Sequence, residues 1–372
     1  MLDIDGAVEA AWPDEGVAAH YGDPAREQRT IATGGALVDR SNRGVITVSG
    51  PDRLIWLHSL TSQHLERLAP GETAQALILS PQGHLEHLLT LTDDGTRTWA
   101  HVEPGTAGAL VGYLNSMRFM LRVEVDDLSA THGVLSLLFQ TAPSALSQTA
   151  PGALSQTAPG ALHLSSPVAR TLDDVELGAR GTASTFGMGR DLILGKDRIA
   201  DAAGKPGVPV AGMWAYEAAR IAAHVARPGV DTDHKTLPHE VGLIGTAVHL
   251  NKGCYRGQET VARVHNVGHP PRRLVLLHLD GSADRLPAHG SPITLDDGTE
   301  VGFAGSAARH YELGPIGLGL VKRTVPVAAT LLADGVAAAQ EVIVSPDTGA
   351  NVTVTLRRDS VPQPPGAARR LM

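Results

Sequence analysis

The sequence predicts an α+β protein whose C-terminal part is built almost wholly of strands. Up to residue 250, apolar residues recur with both helical and strand spacing, and beyond Arg272 short apolar runs alternate with turn sequences. A spacing of three to four residues is typical of a helix packed on a core, and alternation is typical of a strand. With 372 residues the chain is too long for one ordinary core, so we expect two or three domains.

Strands and helices follow one another through the N-terminal part of the chain. Strands are predicted at 44–50, 76–79, 85–91, 99–102 and 119–125. Two helices are predicted between them, with core stripes at Leu54, Leu57 and Leu60 and at Leu110, Leu114 and Met117. This order indicates helices on one face of a mainly antiparallel sheet.

The middle of the chain combines a helix with long irregular segments. A helix is predicted over 213–227, with a core stripe at Trp214, Ala218, Ile221 and Val225. The segment 229–250 shows no period and is predicted to be a long loop near a site. Three near-identical eight-residue units, TAPSALSQ, TAPGALSQ and TAPGALHL, occupy 141–164. We interpret them as a surface loop lengthened by duplication, outside the site.

The C-terminal part is predicted to form a small barrel or sandwich. Strands are predicted at 274–279, 292–295, 301–306, 316–321, 342–344 and 352–356, with Gly-containing turns between several of them. The residues after Ser360 are rich in Pro and small side chains, and we expect them to be disordered.

Composition and charge argue against several classes of protein. A net charge of −8 argues against a dedicated nucleic-acid binder, because phosphate contacts favour a basic surface. The single cysteine excludes an internal disulfide and an all-cysteine iron–sulfur cluster held by this chain alone. Residues 1–13 lack the features of a signal peptide, and no apolar run is long enough to span a bilayer. We therefore expect a cytoplasmic monomer with no membrane or nucleic-acid partner.

Seventeen histidines make a metal site worth testing on the sequence. The best candidate is the run His84-Leu85-Glu86-His87, which falls at the start of a predicted strand. On a regular strand His84 and Glu86 face one side and His87 faces the other. The run is also not the helical H-E-x-x-H signature of zinc enzymes, so we predict no metal site.

The stretch 252–259, KGCYRGQE, contains the only cysteine of the chain, Cys254. Lys252 and Arg256 flank this thiol, and the residues GQE that follow are predicted to begin a helix. Positive charge and a helix N-terminus both favour the thiolate, which makes Cys254 a candidate nucleophile. Alternatively, Cys254 is a small buried apolar side chain in a turn shaped by glycines. The residue types alone leave both interpretations open.

Three further polar residues are candidates for ligand contacts, and each has an ordinary alternative. Arg220 either pairs with Glu217 and His224 on the helix surface or binds a ligand carboxylate through two hydrogen bonds. Glu240 and Gln258 either bind the edge of a heterocycle or are simply solvated.

The stretch 252–259 resembles the K-G-C-Y-x-G-Q-E signature of the YgfZ-type folate-binding proteins, which are relatives of the glycine-cleavage T-protein (aminomethyltransferase). Seven of the eight positions are defined in this signature, and this chain matches all of them. The resemblance continues in 44–52 (GVITVSGPD), which is similar to the superfamily's first strand and helix, and in 80–84 (SPQGH), which is similar to its hairpin. Residues 302–323 resemble its final barrel.

The resemblance implies a T-protein-like architecture of three modules around a central opening. Two α+β modules with ferredoxin-like sheets would be followed by a C-terminal β-barrel. The implied boundaries are 1–50 with 133–250 for the first module, 51–132 for the second module inserted into it, 251–270 for the signature loop and connecting helix, 271–360 for the barrel and 361–372 for a disordered tail.

The resemblance also implies a tetrahydrofolate pocket at the central opening. The implied cofactor contacts are Lys252, Tyr255, Gln258, Arg220 and Glu240, and the implied catalytic residue beside the pocket is Cys254. Arg220 matches the arginine of the family's R-I/L-E-A-G helix and suits the folate carboxylates.

This chain departs from the family at two places that bear on its activity. The residues after Arg220 are Ile-Ala-Ala-His, so the acid of the R-I/L-E-A-G helix is missing. The T-protein's catalytic aspartate also has no match, and the nearest acid is Glu103. The loss of this aspartate argues against straightforward aminomethyl transfer. The role that the resemblance implies is folate-dependent support of iron–sulfur cluster assembly or repair, with iron–sulfur proteins or assembly factors as partners. The alternatives are a folate-dependent methyl or aminomethyl transferase or demethylase, and a scaffold with a vestigial pocket.

Overall fold

The computed structural model describes residues 1–139, 181–183, 189–203 and 207–351. The repeat at 141–164, the predicted strand at 352–356 and the predicted tail at 361–372 lie outside these residues. Among the helices of the described residues, none is both long enough and apolar enough to cross a membrane.

Six α-helices and two short 3₁₀-helices are formed by the described residues. The α-helices are α1 (Pro24–Thr33), α2 (Arg53–Leu60), α3 (Ala107–Ser116), α4 (Lys196–Ala203), α5 (Met213–Ala222) and α6 (Gln258–Asn266). The 3₁₀-helices are Pro238–Val241 and Gly281–Ala283.

Two five-stranded sheets, a two-stranded ribbon and a barrel contain the strands. The ribbon contains β1 (Val8–Glu9) and β2 (Ala18–His20). The first sheet contains β3 (Ala36–Arg40), β9 (His132–Leu138), β10 (Gly181–Ala183), β11 (Gly189–Gly195) and β12 (Val210–Ala211). The second sheet contains β4 (Gly44–Ser49), β5 (Thr73–Leu79), β6 (Leu85–Asp93), β7 (Arg97–Val102) and β8 (Glu124–Asp127). The barrel contains β13 (Arg272–Leu279), β14 (Pro292–Thr294), β15 (Glu300–His310), β16 (Gly314–Lys322), β17 (Leu331–Ala333) and β18 (Val336–Val342).

This architecture confirms the predicted α+β fold with a C-terminal barrel. The second sheet has the order β5-β6-β7-β4-β8 and is antiparallel throughout. Helices α2 and α3 pack on it, because Trp56, Leu57 and Leu110 are buried against Ile46 and its neighbours. The first sheet has the order β10-β11-β9-β3-β12, with β12 parallel to β3.

The pairing of β4 concerns the predicted boundary between the first two modules at residue 50. The module boundaries as a whole stay a prediction. The implied boundary at residue 50 assigns β4 to the first module, but β4 pairs with β7 and β8 of the second sheet. Residues 41–43 connect β3 of the first sheet to β4, so a boundary there would keep each sheet in one module.

The barrel decides between the two predicted C-terminal architectures. Its strands close in the order β13-β16-β15-β14-β17-β18, which excludes the sandwich. The sequence missed β17 and most of β18, and it placed the last described strand at 342–344 instead of Val336–Val342. The sequence LLADGVAAAQEV over this hairpin is rich in alanine, which has weak strand propensity, and this explains the error.

Two further predictions are wrong in their detail. Helix α5 ends at Ala222 instead of continuing to residue 227, and His224 has a positive φ of 63°. Trp214 is 54% exposed, because the buried face of α5 includes Met213 and Tyr216 instead. Residues 119–123 are not strand, and Phe119 also has a positive φ, of 46°.

Contacts with α2 and its N-cap residue hold residues 119–123, before β8, in a conformation that is not a strand. The indole nitrogen of Trp56 donates to the carbonyl of Met117, at a distance of 3.1 Å. The carboxylate of Asp52 accepts from the backbone N–H and the guanidinium of Arg122. Because these two contacts fix both ends of the segment, the chain turns before the strand begins at Glu124.

Candidate functional site

A cavity of about 630 Å³ lies between the second sheet and the loop that follows α5. Its walls come from the hairpin before β6, from β6 itself, from the junction between β7 and α3, and from the loop 228–234. Its lining includes three histidines and three carboxylates, namely His84, His87, His234, Glu86, Glu103 and Asp233. This volume lies within the range of about 300–1,000 Å³ that is usual for small-molecule and cofactor sites.

A narrow recess of about 40 Å³ adjoins this cavity, and the two share Leu88, Glu103 and Pro228 in their walls. The side-chain amides of Asn42 and Gln75 also line the recess. The Oδ1 atom of Asn42 is buried and accepts no hydrogen bond from the described residues. An acceptor of this kind favours a ligand group that donates a hydrogen bond.

A buried network of alternating charges forms the wall of the recess. Arg227 donates to both oxygens of Asp14, at 2.8 Å each, and its Nε donates to Glu103 at 2.7 Å. Arg43 donates to the other oxygen of Glu103 at 2.6 Å. Burial by itself would raise the pKa of the Glu103 carboxyl, but Arg43 and Arg227 outweigh it and hold that pKa well below its ordinary range. Glu103 is therefore ionised and bound to two arginines.

Arg220 continues this network towards the barrel. Its guanidinium donates to Glu217, Asp231 and the hydroxyl of Ser306, and also to the carbonyl of Val225. These bonds account for all five N–H groups of the side chain. A contact between Arg220 and a folate carboxylate stays a prediction, and it would require one of these bonds to break.

Glu240 lies in a separate ion pair at the base of the barrel. Its side chain is fully buried, one oxygen accepts from the backbone N–H and Nε of Arg272, and the other accepts from Arg272 and from the N–H of Leu237. Arg272 also binds Asp233 at 2.7 Å. The ligand contact predicted for Glu240 stays a prediction. The ion pair between Glu240 and Arg272 joins the barrel to the loop 228–240.

Lys252 binds the C-terminal end of α2. Its ammonium donates to the carbonyl of His58 in the last turn and to the carbonyl of Thr61, the C-cap residue. Only 7% of Lys252 is exposed, and this burial lowers the pKa of its ammonium to about 8. The predicted role of Lys252 in folate binding stays a prediction beside this observed capping role.

The lowered pKa of Lys252 predicts a specific dependence of stability on pH. The unfolded chain keeps this lysine protonated up to about pH 10.5, so between about pH 8 and that value it binds more protons than the folded chain. Stability should therefore rise with pH through this window. Between pH 7 and pH 9, the free energy of unfolding should gain roughly 1 kcal/mol relative to Lys252→Met. Urea denaturation of both proteins at the two pH values measures this difference, and an unchanged difference would contradict the assigned environment.

The other predicted site residues of the stretch 252–259 lie in different environments. Tyr255 is buried beside Leu79 and Val248, and burial raises the pKa of its hydroxyl to about 12. Gln258 is half-buried and its amide donates to the carbonyl of Lys252 at 3.4 Å. Cys254 is a free and exposed thiol. The alternative in which Cys254 is a buried apolar side chain is therefore wrong, while its catalytic role stays a prediction.

The structure brings the signature loop against the hairpin that borders the cavity. A Cβ atom added to Gly257 would lie 2.6 Å from the carbonyl oxygen of Ser80 and 2.9 Å from the Cα of Gly83. Gly257 also has a φ of 83° and directly precedes α6, whose start at Gln258 agrees with the predicted helix. Four of the six predicted site residues thus lie in the stretch 252–258, whereas Arg220 and Glu240 are held elsewhere by their own ion pairs.

The prediction from sequence did not place His84 and His87 on the same side of the strand, because it assumed a regular strand. His87 pairs with Ile78, but Leu85 pairs with Leu79, so Glu86 is an extra residue on β6. Such a β-bulge changes the direction in which the following side chains point. His84, Glu86 and His87 consequently all line the cavity, which corrects the predicted separation of His87 from the other two. Among the described residues, no group of three metal-ligating side chains is placed to hold a metal ion.

Sequence comparison finds similarity to transferases. A chloroplastic protein of Arabidopsis thaliana named as a transferase is 26% identical over 323 residues, which cover 83% of this chain and 70% of that protein. An aminomethyltransferase of Nostoc sp. (strain PCC 7120) is 26% identical over 315 residues, which cover 80% of this chain and 79% of the relative. No protein-family model matches the chain.

A solved structure shares the fold over almost the whole length of the chain. Glycine cleavage system aminomethyltransferase T from Bartonella henselae superimposes with a TM-score of 0.71 at 19% sequence identity, and the match covers 91% of this chain and 93% of that protein. The chain is thus similar in sequence to a transferase and an aminomethyltransferase, and it shares its fold with an aminomethyltransferase.

Proposed function

We propose that this protein binds tetrahydrofolate in the 630 Å³ cavity and acts as a YgfZ-type accessory protein in the assembly or repair of iron–sulfur clusters. The observation that carries the folate site is the cavity itself, which lies beside the signature loop in a fold shared with an aminomethyltransferase. The resemblance of residues 252–259 to the YgfZ-type signature supports the accessory role.

The residues of the cavity fit a folate. The imidazoles of His84 and His87 can bind a polar heterocycle, and the recess offers the unpartnered Oδ1 of Asn42 to a donor group. Burial lowers the pKa of His87, so its ring is neutral at pH 7 and can both donate and accept. Tetrahydrofolate, when bound, would supply a carrier for a one-carbon unit.

The carboxylates of the cavity support an accessory role over aminomethyl transfer. Glu86, Glu103 and Asp233 each form an ion pair with an arginine. The arginines hold the pKa values of Glu103 and Asp233 well below their ordinary range, which makes these two carboxylates weak bases. The exposed thiol of Cys254 remains accessible to a second protein, which suits a role in handling thiol-reactive clusters.

Filling part of the cavity should weaken folate binding without unfolding the protein. In His87→Trp a larger ring replaces a half-buried imidazole on β6, where aromatic residues are favoured. We expect tetrahydrofolate affinity to fall by about tenfold or more, since the ligand loses contact area. The matched control is His278→Trp, because His278 lies on barrel strand β13. Calorimetric titration measures both variants, and equal affinities in all three proteins would contradict a site in this cavity.

The second candidate function is a folate-dependent methyl or aminomethyl transferase or demethylase. It is favoured by the names of the relatives, which are a transferase and aminomethyltransferases. An assay for methylene-tetrahydrofolate with candidate one-carbon donors, comparing the wild type with Cys254→Ala, separates the two functions. Robust turnover by the wild type would favour the transferase, and folate binding without turnover would favour the accessory protein.

A further inference from the structure

An ion pair between Arg256 and Glu86 stands at the cavity wall. The two terminal nitrogens of Arg256 donate to the two oxygens of Glu86, at 2.9 and 3.2 Å. Glu86 lines the cavity, and it is the extra residue of the bulge in β6. Arg256 occupies the undefined position of the signature-like stretch, so the resemblance assigns it no role.

Arg256 differs from the other arginines around the cavity in how firmly it is held. Arg220 and Arg227 are buried, and each binds at least two carboxylates. Arg272 likewise binds Asp233 and the buried Glu240. In contrast, the side chains of Arg256 and Glu86 are 32% and 36% exposed. An exposed pair of this kind is weak enough for a ligand to replace one partner.

The guanidinium of Arg256 is nevertheless held in a defined orientation. Its central carbon lies 5.3 Å from the centre of the Tyr113 ring, which is within the range of a cation–π contact. Tyr113 is on α3, the same helix whose start borders the cavity. Arg256 thus has a second contact besides Glu86, and its two terminal nitrogens have the geometry that binds a carboxylate most specifically.

We propose that Arg256 is the binding residue for a carboxylate of the ligand and that Glu86 occupies its place until the ligand arrives. On binding, the ligand carboxylate replaces that of Glu86 on the two terminal nitrogens of Arg256. The ligand class is a heterocycle with a carboxylate tail, and this inference rests on the proposed function, in which tetrahydrofolate supplies the glutamate carboxylates. It assigns to Arg256 the carboxylate contact that the resemblance implies for Arg220.

The test compares two ligands and three variants by calorimetric titration. The ligands are tetrahydrofolate and its bis-amide, in which both glutamate carboxylates are carboxamides. Arg256→Gln should weaken tetrahydrofolate binding about tenfold, because a charge-assisted pair is lost, and should leave bis-amide binding unchanged. Glu86→Gln should tighten tetrahydrofolate binding about threefold, because the competing carboxylate is removed. When Arg256→Gln is also present, Glu86→Gln should no longer tighten tetrahydrofolate binding, since the gain depends on Arg256.

The outcomes separate this inference from the proposed function. If the wild type binds neither ligand, the proposed function fails. If the wild type binds tetrahydrofolate but Arg256→Gln binds it equally well, the folate site stands and the inference fails. A loss of affinity for both ligands in Arg256→Gln, or weaker binding in Glu86→Gln, would show that the pair merely supports the loop and would also overturn the inference.

Discussion

Replacing Arg227 by Leu should destabilise the protein by about 3–5 kcal/mol, because it leaves the buried Asp14 without a cation and Glu103 with Arg43 alone. Arg227 is 5% exposed, and it binds Asp14 from the N-terminal segment and Glu103 from the end of β7. Leu has an apolar side chain of smaller volume and offers these two carboxylates no hydrogen bond. The loss is expected to loosen the wall of the cavity as well as the fold.

Chemical denaturation of wild type, Arg227→Leu and Arg122→Leu measures this effect. Arg122 also pairs with an aspartate, Asp52, but its side chain is 74% exposed. An exposed pair contributes less than about 1 kcal/mol, so the control should remain close to wild type. Similar losses in the two variants would show that the buried network is not what joins these segments.

The second large effect is expected at Gly257 of the signature loop. Gly257→Ala places a Cβ atom where the carbonyl of Ser80 and the backbone of Gly83 already lie, and it puts Ala at a φ of 83°. Backbone strain of this kind costs about 1–3 kcal/mol, and the overlap with the hairpin adds to it. We expect destabilisation of at least about 2 kcal/mol, together with weaker folate binding.

The neighbouring signature glycine provides the control for this substitution. A Cβ atom added to Gly253 meets no atom within 4 Å, and its φ is outside the left-handed region. Gly253→Ala should therefore change the free energy of unfolding by less than about 0.5 kcal/mol. Thermal or urea denaturation compares the two variants, and equal effects would mean that the contact with the hairpin does not fix the loop.

The sequence predicted the architecture well because the relevant signals are local. Short apolar runs mark β5 and β6, and the turn between them contains Gly83. The helix after Gly257 and the run of barrel strands after Arg272 are local patterns of the same kind. Each of these signals depends on residues only a few positions apart.

The site could not be predicted to the same extent, because its contacts join distant positions. The sequence makes Arg220 a candidate for binding a ligand. Its observed partners nevertheless include Asp231 and Ser306, which lie on other elements. The direction of His87 depends on a bulge that is defined only by pairing with β5. The spacing of residues along one segment contains neither kind of information.

The position of a bound folate tests the central claim most directly. A crystal structure of the protein grown with 5-formyl-tetrahydrofolate should show the ligand between β6, the start of α3 and the loop 228–234, with a glutamate carboxylate on Arg256 and Glu86 turned away. A folate bound outside this cavity would contradict the proposed site.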